Sequence, residues 1–212
     1  FDRKWVEEVS DIDEDEVEYT VRSFDLAGTL KSDKNPSPDY TASVRMRRMK
    51  DGTYIVDDVV RTRIRAGDWK DFILGLAQRD PANTTYLYPV DPNPAARRMA
   101  DLMVKDLISE GRIYVKKIDT NKSKLDRFRP FSSMAQNGGV KFLKDCGNDL
   151  ENGVNNCLKF VYRELEVFNG ERNRSEVGHD DIVDCMSDAF YELAAGAKKI
   201  GNISSSLRTF FS

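Results

Sequence analysis

The residues best suited by type and spacing to do chemistry are Asp25, Asp91 and the run His179-Asp180-Asp181-Ile182-Val183-Asp184. Asp25 lies in Ser23-Phe24-Asp25-Leu26-Ala27-Gly28-Thr29, near the end of a β-forming stretch. An acid there is costly unless it meets water, hydrogen bonds or a cation. Gly28 permits a tight turn and Thr29 supplies a hydroxyl close by. Asp91 follows Tyr86 to Val90 and precedes Pro92-Asn93-Pro94, a place open both to a helix-entry residue and to a carboxylate at a strand's carboxyl end. In a helix, Asp180 and Asp184 share one face, while Asp181 turns toward the flank carrying Asp188. Acids at a helix start also suit the helix dipole. Carboxylates held within a few ångströms raise one another's pKa until a cation neutralises them. All-oxygen ligands favour Mg²⁺ or Mn²⁺, and two such ions about 4 Å apart suit phosphodiester cleavage.

The pattern around these acids predicts the elements that must place them. Residues 19–27 read as a strand, 32–39 as a loop, and 40–49 and 54–64 as two strands joined at Asp51-Gly52, giving three antiparallel strands. Residues 66–79 carry Trp69, Phe72, Ile73 and Leu76 at helical spacing. A strand over 84–90, a helix over 95–110 opened by Pro94, and a strand over 113–118 form a parallel crossover unit. Further helices are expected over 123–135, with a kink at Pro130, over 149–164, and over 179–199, with 140–143 extended and 169–178 a polar loop. This order reads as an α/β mixed sheet flanked by helices on both faces and resembles the ribonuclease H-like fold. Met46, Met49, Met99 and Met103 are core candidates. Tyr86, Tyr88, Phe128 and Phe131 read as packing rather than base-stacking residues.

Composition narrows the function classes. A single histidine, His179, leaves no obvious nucleophile triad, and neither G-x-x-x-x-G-K-[ST] nor G-x-G-x-x-G occurs. Three cysteines at wide spacing make no zinc set and read as free thiols of a reducing compartment. No membrane span or signal peptide is visible, so an intracellular protein is expected. The net charge of −3 is uneven, because residues 1–19 carry nine acids against two bases and the remainder is net +4. A mildly basic body is compatible with a polyanionic partner. Lys122, Lys124, Arg127 and Arg129 form a basic stripe open to phosphate contact or to solvation, and Arg45, Arg47 and Arg48 could extend it.

From about Trp5 to Ala195 the sequence resembles the C-terminal nuclease domain of the large terminase subunit of tailed bacteriophages, a ribonuclease H-like endonuclease that cuts concatemeric genomes during packaging. The likeness rests on Ser23 to Thr29, the acid at Asp91, Lys124-Leu-Asp-Arg127 followed by Gly139-Val140, and Gly178 to Asp184. It implies a metal-binding triad of Asp25, Asp91 and Asp181, with Asp180 the next choice for the third place. Asp184, His179 and Thr29 would help, two Mg²⁺ or Mn²⁺ ions would serve as cofactors, and Lys122, Lys124, Arg127, Arg129, Arg45 and Arg47 would hold double-stranded DNA with little sequence preference. It further implies a portal protein, a small terminase subunit and an N-terminal ATPase domain as partners, and the host cell cytoplasm as the location. Residues 1–18 are then expected to be an acidic linker remnant, 19–200 the nuclease domain and 201–212 a tail. The rival expectations are a non-enzymatic docking module and a junction-resolving or hybrid-cleaving nuclease of the same superfamily.

Overall fold

The structure, a computed structural model, describes residues 1–119, 123–170 and 179–208, the side chains of 197–208 excepted. The described strands are β1 (Glu7–Val9), β2 (Val17–Asp25), β3 (Thr41–Met49), β4 (Tyr54–Thr62), β5 (Thr85–Val90), β6 (Tyr114–Asp119), β7 (Val140–Leu143) and β8 (Gly147–Asp149). The helices are α1 (Trp69–Ala77), α2 (Pro94–Gly111), α3 (Lys124–Gln136), α4 (Lys159–Val167) and α5 (Asp181–Arg208). No described helix is long and apolar enough to cross a membrane.

One mixed sheet in the order β1-β7-β4-β3-β2-β5-β6 holds the chain together, with β8 adding to the far end of β4. The β2, β3 and β4 strands are antiparallel, and β5 joins β2 in parallel. The turn from β3 to β4 is closed as Asp51-Gly52 suggests: Gly52 takes φ +88°, and Asp51 Oδ1 accepts from Thr53 N at 2.8 Å. Alternation along β3 sends Val44 and Met46 to one face and Arg45 and Arg47 to the other. On the first face, α3, α4 and α5 bury Phe131, Leu165, Ile182, Met186 and Leu193 against Val44, Val56 and Phe142. On the second, α1 and α2 cover Phe24, Tyr86 and Tyr88 with Ile73, Leu76 and Leu107. Parallel pairing of β2 with β5 brings the carboxyl ends of both strands to one edge of the sheet.

Three expectations about elements change. Residues 149–158 are not helical: they leave β8 through a loop with Gly153 at φ +63° and Asn156 at φ 55°, and α4 begins only at Lys159. Residues 1–18, expected as a linker, place β1 beside β7 and stack the Phe1 ring 6.2 Å from Phe131. Met99 is 71% exposed on α2, outside the core. The helix through Pro130 continues to Gln136, and α5 runs on to Arg208 through the start of the expected tail. Much of the expected loop at 169–178 lies outside the described residues.

Candidate metal centre at the strand edge

Asp25 is the last residue of β2, and its neighbours on the same face, Val21 and Ser23, are buried under α5. Gly28, three residues on, lets the turn at Ala66 close over the strand end, since a Cβ there would lie 3.0 Å from Ala66 Cβ. Ala27 O is held by Thr41 Oγ1 at 2.6 Å, fixing the exit from β2 beside the entry to β3.

From the opposite side comes the first turn of α5. Asp181 is 4% exposed, and its Oδ2 accepts the backbone N–H of Tyr40 at 3.0 Å. The amino terminus of α5 is capped from another helix: Glu164 Oε1 accepts from Ile182 N at 2.6 Å and Val183 N at 3.4 Å. Glu164 Oε2 is buried without a hydrogen bond, 3.8 Å from Arg61 Nη1. Arg61 also binds Asp149 and lies 4.5 Å from the Tyr40 ring centroid and 4.4 Å from that of Phe160. The carboxylate position of Asp181 is therefore set by α4, β4 and the segment entering β3.

These acids titrate abnormally. Burial pushes the Asp25 carboxyl well above the usual range, and the negative charges of Asp181, Asp184 and Asp180 raise it further, while Lys124 lowers it. Burial is also the main reason that Asp181 is pushed up to about 7, partly countered by the Tyr40 N–H. Glu164 is raised by burial and then by Asp181. Asp184 is raised by burial, against the opposing charges of Lys124 and Arg127.

The structure brings Asp25, Asp180, Asp181 and Asp184 together and divides them into two kinds. Lys124 Nζ sits 2.7 Å from Asp180 Oδ2 and 2.6 Å from Asp184 Oδ2. Arg127 reaches Asp184 Oδ1 at 2.7 Å and Asp188 Oδ1 at 2.6 Å. Among the described residues, no Lys or Arg forms an ion pair with Asp25 or Asp181. His179 Nδ1 lies 3.6 Å from Asp181 Oδ2, and its Nε2 faces Ser37 Oγ at 3.1 Å and Arg63 Nη2 at 3.4 Å. Burial and Arg63 lower its pKa, so it is neutral at pH 7 and flanks Asp181.

The other expected site residues fall elsewhere. Asp91 stands beyond the end of β5 on the same sheet edge, solvent-exposed, with Oδ1 accepting from Asn93 N at 2.8 Å. Thr29 is exposed in the loop after Asp25 and makes no hydrogen bond among the described residues. Lys122 lies outside the described residues. Arg129 is exposed and pairs with Asp126 of its own helix at 3.3 Å. Lys124 and Arg127, expected as phosphate contacts, are ion-paired to Asp180, Asp184 and Asp188.

Arg45 and Arg47, also expected to hold DNA, are engaged on the other face of the sheet. Arg47 is 5% exposed and binds Asp57 and Glu14, while Arg45 binds Asp57 at 2.8 Å and Asp80 at 2.7 Å. Arg22, 1% exposed, completes the network on Asp80 and Asp58 at 2.6 Å each. They sit on the α1 side of the sheet, the face opposite Asp25, and hold strands and the loop after α1 together rather than facing a ligand. Arg48 is likewise paired, with Glu18 at 2.9 Å.

Among the described residues, no three acidic, histidine or cysteine side chains converge as a preformed metal cage. The donor set nonetheless fits a hard divalent cation: the carboxylates of Asp25, partly buried, and Asp181, buried, repel each other and form no ion pair with a guanidinium or ammonium among the described residues. Sequence reasoning found both acids. It missed Tyr40 and Glu164, whose roles arise from a backbone amide and a helix cap and leave no motif.

Comparison with known proteins agrees with this architecture. The terminase nuclease domain of human cytomegalovirus, soaked with Mn and bound to an inhibitor, superposes with a TM-score of 0.58 at 11% identity, over 82% of each chain. The large terminase nuclease of thermophilic phage G20c with bound magnesium gives 0.53 at 16% identity, over 89% of this chain and 93% of that one; its cobalt-bound form gives 0.52 at 14% over the same shares. No curated protein matches in sequence. The profile of the family described as the terminase RNaseH-like domain matches residues 22–193. A mixed sheet with helices on both faces, acids gathered at its strand edge and a family match through most of its length make this chain a member of the terminase RNase H-like domain family.

Proposed function

We propose that this domain is a divalent-metal-dependent endonuclease that cuts double-stranded concatemeric viral DNA during genome packaging, with little sequence preference. The observation that carries the reading is the pair Asp25 and Asp181, one partly buried and one buried carboxylate of raised pKa with no ion-paired cationic side chain of their own among the described residues, at the strand edge of a terminase nuclease fold. Asp25 and Asp181 would hold the ion, and Asp91, on the same edge, is the third acid within this reading. Bound Mg²⁺ or Mn²⁺, two ions in the arrangement the family resemblance implies, would supply an activated water and charge stabilisation at the leaving 3′ oxygen. Tyr40 N–H fixes which oxygen of Asp181 faces inward, and the Glu164 cap fixes the turn that carries it. In the longer packaging protein, the portal, the small subunit and an ATPase domain would be its partners, in the cytoplasm of the host cell.

The test is cleavage of supercoiled plasmid with Mn²⁺ or Mg²⁺, followed as nicked and linear products, with EDTA and Asp25→Asn controls. Cutting that disappears in both controls is expected. Full activity in a folded Asp25→Asn protein would refute the assignment. Linear duplex, four-way junction and RNA:DNA hybrid substrates, run side by side, separate a packaging nuclease from a resolvase or a hybrid nuclease.

A further inference from the structure

Asp180, the residue just before α5, and Asp184 in its first turn lie four residues apart, the Asp184 N–H bonding the Asp180 carbonyl at 2.9 Å, a spacing at which two side chains on one face can grip a single ion. An ammonium already lies between them: Lys124 Nζ is within 2.7 Å of an oxygen on each. A divalent ion of the Mg²⁺ class binds carboxylate oxygens at roughly 2.1 Å, so it cannot share that space with Nζ. Asp184 is saturated further by Arg127 on its other oxygen. Asp181, next to Asp180 in sequence, and Asp25 at the end of β2 have no ion pair with Lys or Arg among the described residues. The cluster is thus partitioned by α3, which forms ion pairs with Asp180 and Asp184 and none with Asp25 and Asp181.

We infer that Lys124 determines where the divalent ion binds, its ammonium filling the cation position between Asp180 and Asp184 and leaving Asp25 and Asp181 as the open ligands. Lys124 is on this view a positioning residue for the metal rather than a phosphate contact. Replacing it by an uncharged side chain of similar length frees two carboxylates at chelating spacing and opens an additional divalent site. The inference rests on the nuclease reading only for the choice of ion.

The test counts Mn²⁺ bound per chain, by equilibrium dialysis with metal analysis, for wild type, Lys124→Met, Lys124→Arg, Asp25→Asn and the double variant Lys124→Met/Asp184→Asn. Lys124→Met is expected to bind one ion more than wild type. Lys124→Arg is expected to match wild type, and the double variant to lose the extra ion. Melting in EDTA should be lower for Lys124→Met than for wild type, and Mn²⁺ should recover the difference. Lys124→Gln, carried alongside, keeps a hydrogen-bond donor and serves as the folded uncharged variant if the methionine protein does not fold. An unchanged ion count in the folded uncharged variant overturns the inference. A wild-type count unaffected by Asp25→Asn overturns Asp25 as an open ligand, both in the nuclease reading and in this inference, whereas an extra ion in Lys124→Met supports the place given to Lys124 between Asp180 and Asp184.

Discussion

Replacing Asp181 by asparagine removes a charge that the metal-free fold holds at a cost, so the protein should become more stable and at the same time lose its response to metal. The carboxyl is raised from 3.8 to about 7 by burial above all. At about 1.4 kcal/mol per pH unit, that span of roughly three units corresponds to a penalty on the order of 4 kcal/mol once the group is ionised in the folded state. The sign follows from proton uptake. Between the two values the folded chain keeps a proton that the unfolded chain releases, so this stability is fully present below about pH 3.8 and lost as pH climbs to about 7. Asparagine has no such dependence, and its Oδ1 can still accept the Tyr40 N–H. In urea denaturation with EDTA, Asp181→Asn should exceed wild type by up to about 4 kcal/mol at pH 8 and by less than about 2 kcal/mol at pH 5. Added Mn²⁺ should stabilise wild type by about 2.7 kcal/mol at a hundredfold excess over its Kd, and the variant far less. An asparagine variant no more stable than wild type at pH 8, or one stabilised equally by Mn²⁺, would refute the reasoning.

Other consequences follow from the same geometry. Because a ligating carboxylate must be ionised, Mn²⁺ should bind roughly tenfold more tightly at pH 8 than at pH 6 from Asp181 alone, as read by titration calorimetry; a flat profile would contradict the ligand assignment. Glu164→Leu leaves the Ile182 and Val183 amides uncapped and should cost about 1–2 kcal/mol and weaken Mn²⁺ binding, whereas Glu164→Gln retains an acceptor and most of both. Arg22→Met strips Asp80 and Asp58 of their shared guanidinium and should cost about 3–5 kcal/mol in denaturant unfolding. Arg47→Met should likewise destabilise the fold while leaving the salt dependence of DNA binding unchanged; a shallower slope would restore Arg47 to the DNA surface.

The pattern of residues along the chain was enough to locate the strand pairs, the crossover from β5 to β6 and the helix that carries Asp181, because turn residues and periodicity act locally. Asp25 was legible for a similar reason: an acid ending a β-forming run before Gly28 is anomalous without help from elsewhere. The arginines of β3 were misread because their partners come from β4 and from the loop after α1. Counting pairs back from the Asp51-Gly52 turn brings Arg45 level with the Asp57-Asp58 step of β4, so cross-strand register was the available signal. Residues 149–158 misled for another reason. Val154 and Leu158 keep a helical spacing, but Gly153 and Asn156 adopt positive φ, and Val154 instead exchanges backbone hydrogen bonds with Asp149. The two kinds of carboxylate in the cluster were not separable from sequence, since Lys124 selects among them only after α3 has packed on α5.

Asp25 and Asp181 come from nearly opposite ends of the chain, one closing an early strand and the other opening the final helix. Their meeting requires the central strands to be paired, the two later helices to be seated and the Tyr40 amide to be in place. Contacts of such sequence separation form late and together. A chain still emerging from the ribosome, or one cut short before α5, would have the fold's central hairpins but no pair of acids to gather an ion. If the pair holds an ion as proposed, metal binding would therefore report that α5 has been made and seated on the sheet.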